Sequence, residues 1–198
     1  MLFPLFFTRL TDEKLMEHAA KGSEQAFTEL YNRYARRLQG FLFRQLGHDH
    51  ELAADFCHDA FLRIYVARRQ YQKGQSFKAW LFTVAYNLCK NHYRHQQVVK
   101  DAMEDVLLND SENTELQAET AQADVELKID QQQFDDALRQ VISQLPSEAR
   151  LLFALRFEEE LSVAQVAAIM QLPIGTVKSR QHKIMKHIKQ KLQDYETR

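Results

Sequence analysis

Lys178, Ser179, His182, Lys183, Lys186 and Lys189 are side chains of the types that hold nucleic acid. Hydroxyl and imidazole groups can read base edges, and ammonium groups pair with phosphates. At about 100° per residue all six fall on one side of a helix, while Val177, Ile184 and Ile188 fall on the other with Leu192 near the same edge. Seven Lys and Arg stand between Gln171 and Arg198 against two acids, so the field there has the sign a phosphate backbone requires. An ordinary solvated lysine face would carry the same charges. The residues in front of it favour DNA. Ser162 can cap a short helix, Ala167 and Ala168 are small enough for two helices to cross closely, and Gln171-Leu172-Pro173 is a tight turn into the basic helix. This is helix-turn-helix spacing.

A second constellation lies upstream. Thr83, Asn87, Lys90 and Arg94 form a polar strip on the flank of a helix whose apolar stripe is Phe77, Leu81, Val84 and Leu88. Trp80 lies between strip and stripe, and Tyr71 stands in the preceding loop. Aromatic faces stack on unpaired bases while Lys and Arg hold phosphates, which suits a single strand. A base lifted from a duplex also needs polar groups for its edge. Phe82 and Tyr86 are expected to be core, and for Trp80 both roles stay open.

Other chemistry is not expected. There is no Gly-rich phosphate loop, no GxSxG elbow and no HExxH. Cys57-His58 and the i, i+3 pair Cys89 and His92 match no structural zinc spacing, so the two cysteines are read as small buried hydrophobes. No enzyme activity, metal or cofactor is anticipated.

The elements that must carry these residues follow from composition and period. With 5 Gly and 3 Pro in 198 residues, and 45% hydrophobic residues, the chain has few turn formers and enough apolar matter for a core; the fold class is all-α. Thr11 starts a helix, and Gly22-Ser23 stops and restarts it. Phe27, Leu30, Tyr31, Tyr34, Leu38, Phe41 and Leu42 mark a long helix ending near Gly47. A third helix turns Leu52, Phe56, Ala60, Phe61 and Ile64 inward. After a loop from Arg69 to Gln75, Ser76 caps a fourth helix to about Gln97. Periodicity is then lost until a second helical block begins near Gln131, breaking at Leu145-Pro146-Ser147, before Ser162 and at Gln171 to Pro173. The organisation is an apolar tail (1–10), a helical domain (11–97), a flexible acidic linker (98–130) and a second helical domain ending in the helix-turn-helix (131–198).

The net charge of −1 conceals this layout. Nine acids and no Lys or Arg lie between Asp101 and Leu127. Of 26 basic and 27 acidic residues in all, the remainder of the chain therefore carries an excess of eight positive charges. Two cysteines cannot build a disulfide framework, which suits a reducing cytoplasm. No apolar run approaches the ~20 residues of a membrane span. Leu2 to Phe7 lacks the basic start and cleavage site of a signal peptide, and is expected to pack on the protein or on a partner.

Three stretches resemble one known family. LPSEARLLFALRFEEELSVAQVAAIMQLPIGTVKSR, from Leu145 to Arg180, is similar to region 4 of the extracytoplasmic-function sigma factors. FKAWLFTVAYNL, from Phe77 to Leu88, resembles sigma region 2.3 to 2.4, and ELAADFCHDAFLRIY, from Glu51 to Tyr65, resembles region 2.2. The resemblance covers roughly Thr11 to Gln97 and Phe134 to Leu192. It implies a protein that joins bacterial RNA polymerase core and directs it to promoter DNA, duplex and melted. Asp55, His58, Asp59, Phe61, Leu62 and Arg63 would dock on the clamp helices of the polymerase's largest subunit. The loop with Tyr71, Lys73 and Ser76, together with Asn87, would hold a flipped base of the minus-ten element. Trp80, Thr83, Lys90 and Arg94 would support the melted strand. Thr176, Lys178, Ser179, Arg180, His182, Lys183 and Lys186 would read the minus-thirty-five element. An inhibitory anti-sigma partner is implied as well. The linker would thread toward basic polymerase surfaces, where its acids could mimic an RNA backbone or simply keep it solvated.

This chain departs from the family pattern at three places. Gln171 stands where Gly is usual in the turn, Ile184-Met185 where a further Arg is common, and His58 where Gln or Glu is frequent. Two other readings compete: a helix-turn-helix regulator with a sensing N-terminal domain, and a helical adaptor that binds polymerase but no promoter. Neither explains an aromatic-basic strip and a helix-turn-helix on one chain.

Overall fold

The computed structural model describes residues 7–106 and 129–196, with side chains described for 7–98 and 134–193. Among them every regular element is helical. In the first half the elements are α1 (Asp12–Ala20), α2 (Glu24–Gln45), α3 (His50–Ala67), a 3-10 turn (Arg68–Gln70) and α4 (Phe77–Val106). The second half holds α5 (Ile129–Ser143), α6 (Ser147–Phe153), a π-helical turn (Ala154–Glu158), α7 (Val163–Met170) and α8 (Ile174–Glu196).

The starts of these helices are set by side-chain oxygens that accept otherwise unpaired backbone N–H groups. Thr11 caps α1, Ser23 caps α2 and Asp49 caps α3, each accepting from the N–H three residues on. Ser76 Oγ accepts from Ala79 N–H at 3.2 Å and heads α4. The start of α7 is a full capping box: Ser162 Oγ accepts from Gln165 N–H at 3.2 Å, and Gln165 Oε1 accepts from Ser162 N–H at 2.8 Å. Gly74, at φ +84°, supplies the left-handed turn that delivers the chain to Ser76.

In the first half α2 packs on α1 and α3, and α4 packs across them. Leu30, Leu38, Phe41 and Leu42 from α2 meet Ile64 from α3 and Phe77, Leu81 and Phe82 from α4, all fully buried. Arg33 fastens the N-terminal segment to this bundle. Its guanidinium pairs with Asp12 at 2.8 Å and Glu29 at 2.9 Å, and donates to the backbone carbonyls of Phe7, Thr8 and Leu10. Phe7 lies edge-on to His18, so this end of the expected apolar tail packs on the protein; residues 1–6 lie outside the described residues.

One boundary differs from expectation. Helix α4 continues through residue 106, nine residues past its expected end, so the expected linker begins as helix. Val98, Val99, Ala102, Met103 and Val106 recur three and four residues apart, so the helical period of α4 runs on past Gln97. The remainder of the acidic linker, residues 107–128, lies outside the described residues. The two halves are also not separate bodies: α7 packs on α4, and α6 approaches α2.

The helix-turn-helix turn keeps its shape despite lacking the usual glycine. Gln171 sits at φ 56° and ψ 43°, its N–H bonded to the carbonyls of Ala167 and Ala168. An L side chain in this conformation costs about 1–2 kcal/mol. Gln171→Gly should therefore raise the unfolding free energy by roughly 0.5–1 kcal/mol after the greater freedom of the unfolded glycine is counted, whereas Ser162→Ala should lower it by about 1 kcal/mol. Urea denaturation of the two variants checks both signs.

Candidate nucleic-acid interface

Helix α8 presents its two faces as its period demands. Val177, Ile184 and Ile188 are buried against α5, α6 and α7, and Lys178, Ser179, His182, Lys183, Lys186 and Lys189 are exposed. Ser179 Oγ donates to Thr176 O at 3.0 Å, which leaves its lone pairs free to accept from a base edge. Thr176, half-buried in the first turn, is on the rim of this face. Arg180 is not on it. Its guanidinium pairs with Glu148 of α6 at 2.8 Å and turns toward Tyr86 and Lys90 of α4. Met185, 42% exposed, puts an apolar edge where the family commonly has an arginine.

The upstream strip is present as well. Asn87, Lys90 and Arg94 are exposed along α4, with Thr83 and Trp80 half-buried above them. Thr83 Oγ1 donates to Ala79 O at 2.7 Å. Trp80 lies 5.8 Å from the Tyr71 ring at an interplanar angle of 31°, so the two aromatic faces are nearly parallel at the head of the strip. The Tyr71 hydroxyl donates to Gln75 O, which fixes the loop bearing Lys73. Burial and the nearby acids Glu13, Glu17 and Asp12 push this phenol up to about 12, so it stays a neutral donor. Ser76 is occupied as the cap of α4, which limits it to positioning the loop. Phe82 and Tyr86 are buried, as expected for core.

On α3, Asp55, His58, Leu62 and Arg63 are exposed, and Asp59 is half-buried and paired with Arg63 at 2.9 Å. Leu62 and Val66 are 51% and 72% exposed and continue to Tyr31 of α2, an apolar patch edged by charge. Phe61 corrects the expected docking set. It is 3% exposed, its ring 4.7 Å from Tyr31 and 6.3 Å from Phe27, so it holds the patch from beneath and offers no surface.

Residues 30–98 match the description Sigma-70 region 2, and residues 135–188 match Sigma-70, region 4. The RNA polymerase sigma-H factor of Pseudomonas aeruginosa is 31% identical, over 87% of this chain and 89% of that protein. The ECF RNA polymerase sigma-E factor of Escherichia coli K12 is 30% identical, over 93% and 96%. This chain belongs to the extracytoplasmic-function sigma factors of the sigma-70 family. Two solved structures share the sigma factor's fold. CnrH in complex with the cytosolic domain of CnrY has a TM-score of 0.64 at 19% identity, covering 92% of this chain and 97% of that one. The sigma factor RpoE in complex with the anti-sigma factor NepR from Bartonella quintana has a TM-score of 0.57 at 21% identity, covering 84% and 96%.

Sequence reasoning missed a cluster between the two halves of this sigma factor: Arg37 and Arg44 of α2, Lys78 of α4, and Glu158 and Glu159 at the end of the π turn. The signal was available in arginines 36, 37 and 44 on one helix and three consecutive glutamates at 158–160, but no period links segments so far apart.

The described residues hold no group of three or more His, Cys, Asp or Glu placed to bind a metal ion. Burial pushes the Cys57 thiol up to about 11 and the Cys89 thiol up to about 12. Both thiols should therefore resist maleimide at pH 7 in the folded protein and react fully in denaturant, as mass spectrometry would show.

Proposed function

We propose that this sigma factor acts in the cytoplasm and delivers RNA polymerase core to promoters by three surfaces of its own: the α3 patch for core, the α4 strip for the melted minus-ten strand, and the α8 face for the duplex minus-thirty-five element. The observation that carries the reading is the co-occurrence of an aromatic-headed polar strip on α4 and a basic recognition face on α8. Single-stranded and duplex DNA need these two different chemistries, and one protein needs both only if it opens the duplex it has found.

Each role has a physical basis. Leu62, Val66 and Tyr31 supply apolar area, while Asp55, His58 and Arg63 supply polar partners that fix register. Trp80 and Tyr71 offer faces for stacking, and Asn87 offers donor and acceptor to the edge of an extruded base. Lys90 and Arg94 hold the strand's phosphates. On α8, Ser179, His182 and Lys183 face the groove, and Lys178 and Lys186 anchor the backbone. Arg180 serves the fold rather than the groove. An anti-sigma partner covering the α3 patch or the α8 face would keep the chain off polymerase. The solved structures caught with partner chains motivate this regulation here.

Multi-round transcription with bacterial core polymerase on fragments of the source genome tests the proposal. Discrete transcripts that depend on the chain are expected. Asn87→Ala should reduce open-complex formation by about tenfold, the loss of one well-placed contact worth ~1.4 kcal/mol, with duplex binding retained. Lys183→Ala should weaken upstream binding by a similar factor. Wild-type behaviour of both variants would remove these residues from the site. Binding to core without transcripts would favour the adaptor, and tight duplex binding without core binding the regulator.

A further inference from the structure

Helix α8 carries two large apolar side chains that its packing leaves in the open. Ile174 is 50% exposed and Met185 42%, while the stripe of Val177, Ile184 and Ile188 is buried. At about 100° per residue, Met185 stands ~20° from Lys178 and ~40° from Lys189, and ~60° or more from every residue of that stripe. It therefore belongs to the basic face rather than to the core. Its neighbours on that face, His182 before it and Lys186 and Lys189 after it, are all exposed. Ile174 opens the helix and lies within ~20° of the same direction, about three turns earlier. At ~1.5 Å per residue the two are ~16 Å apart, the length of about five base steps at ~3.4 Å each.

On the functional reading above, this face enters the major groove at the minus-thirty-five element. The lysines around Met185 are drawn to phosphates, and the charge complementarity that seats the helix brings its apolar edge against base edges. A thioether donates no hydrogen bond. Pressed on the amino, carbonyl or ring-nitrogen groups of the groove, it would leave them unpaired at a cost. The groove displays one apolar group, the C5 methyl of thymine. Methionine suits that group, because its side chain is unbranched and polarisable, and three rotatable bonds let it follow a neighbouring surface. A guanidinium at the same place would favour guanine instead.

We propose that Ile174 and Met185 form an apolar edge of the recognition helix that reads thymine methyl groups, so that this sigma factor selects thymine at two positions of its minus-thirty-five element. The inference deepens the functional reading above and rests on it.

Duplexes recovered from a random-sequence library by core polymerase carrying the full chain define the upstream element. Replacing its thymines one at a time by deoxyuridine removes a methyl and leaves every hydrogen-bonding group in place. With the wild-type chain, two of these replacements should each weaken binding about fourfold, the worth of one buried methyl. Met185→Ala should be insensitive to one of them and Ile174→Ala to the other. Met185→Leu, which stays apolar, should keep the wild-type sensitivity. Both positions are exposed, so the variants retain the fold. An element whose thymine methyls do not matter, or methyl sensitivity that survives in both alanine variants, would overturn the inference and leave the sigma reading intact. Recovery of no duplex by the assembled polymerase, together with no promoter-dependent transcripts, would overturn both.

Discussion

Burial of one face of α4 sets the geometry of both halves. Phe77, Leu81, Phe82, Ala85, Leu88 and Cys89 are buried, and with side chains recurring at 100° the opposite face has no choice but to present Asn87, Lys90 and Arg94. The Phe41 ring meets Phe82 edge-on at 5.2 Å, and Tyr34 meets Phe77 at 5.4 Å, which fixes the helix in rotation as well as position. A rotation of one residue would carry the strip into the core. The same helix offers its remaining flank, through Tyr86 and Tyr93, to the second half. One rigid rod thus aims the strip, stabilises the first domain and receives the second.

The contacts between the halves are of two kinds: α7 packs on α4 within one continuous apolar core, and charged side chains meet at the end of the π turn. Inside the first half, apolar burial at about 25 cal/mol per Å² accumulates over many side chains and is insensitive to salt. The ion pairs between the halves join arginines that are 41% and 43% exposed to Glu159 and Glu158; the more solvated Arg44–Glu158 pair is worth at most about 1 kcal/mol, and the buried Glu159 loses much of its attraction to desolvation.

Most of the fold was legible because helices announce themselves locally. Thr11, Ser23, Ser76 and Ser162 act as the caps their positions suggested, and Val177, Ile184 and Ile188 turn inward as the period required. The strip was legible for the same reason. Phe61 was not, because similarity assigns it to a docking helix without saying which of two adjacent positions, Phe61 or Leu62, points outward; the packing of Phe27 and Tyr31 decides that. Arg180 was misplaced because a motif match carries no angle, and at 200° from Lys178 it belongs to Glu148. The end of α4 was missed because the acidic composition from Asp101 onward outweighed Val99, Met103 and Val106, which continue the helical period. The pairing of Arg37 and Arg44 with Glu158 and Glu159 was illegible because the partners are more than a hundred residues apart, and single-residue charges have no pattern to match.

The near-neutral total charge has a consequence for how such a chain finds DNA. With a net charge of −1 and a Debye length of about 8 Å at physiological salt, the chain projects little field beyond its own side chains. The lysines of α8 therefore act only at contact range, and long-range steering by a uniformly basic body is absent. On the reading proposed above, specific binding comes from holding two weak DNA sites and one polymerase site at once. Once core is engaged, each further contact is intramolecular, and its effective concentration is set by the connection between the halves. The nine acids between Asp101 and Leu127 complete that near-neutral sum, and on the reading proposed above the contacts that discriminate are those on the faces of α4 and α8.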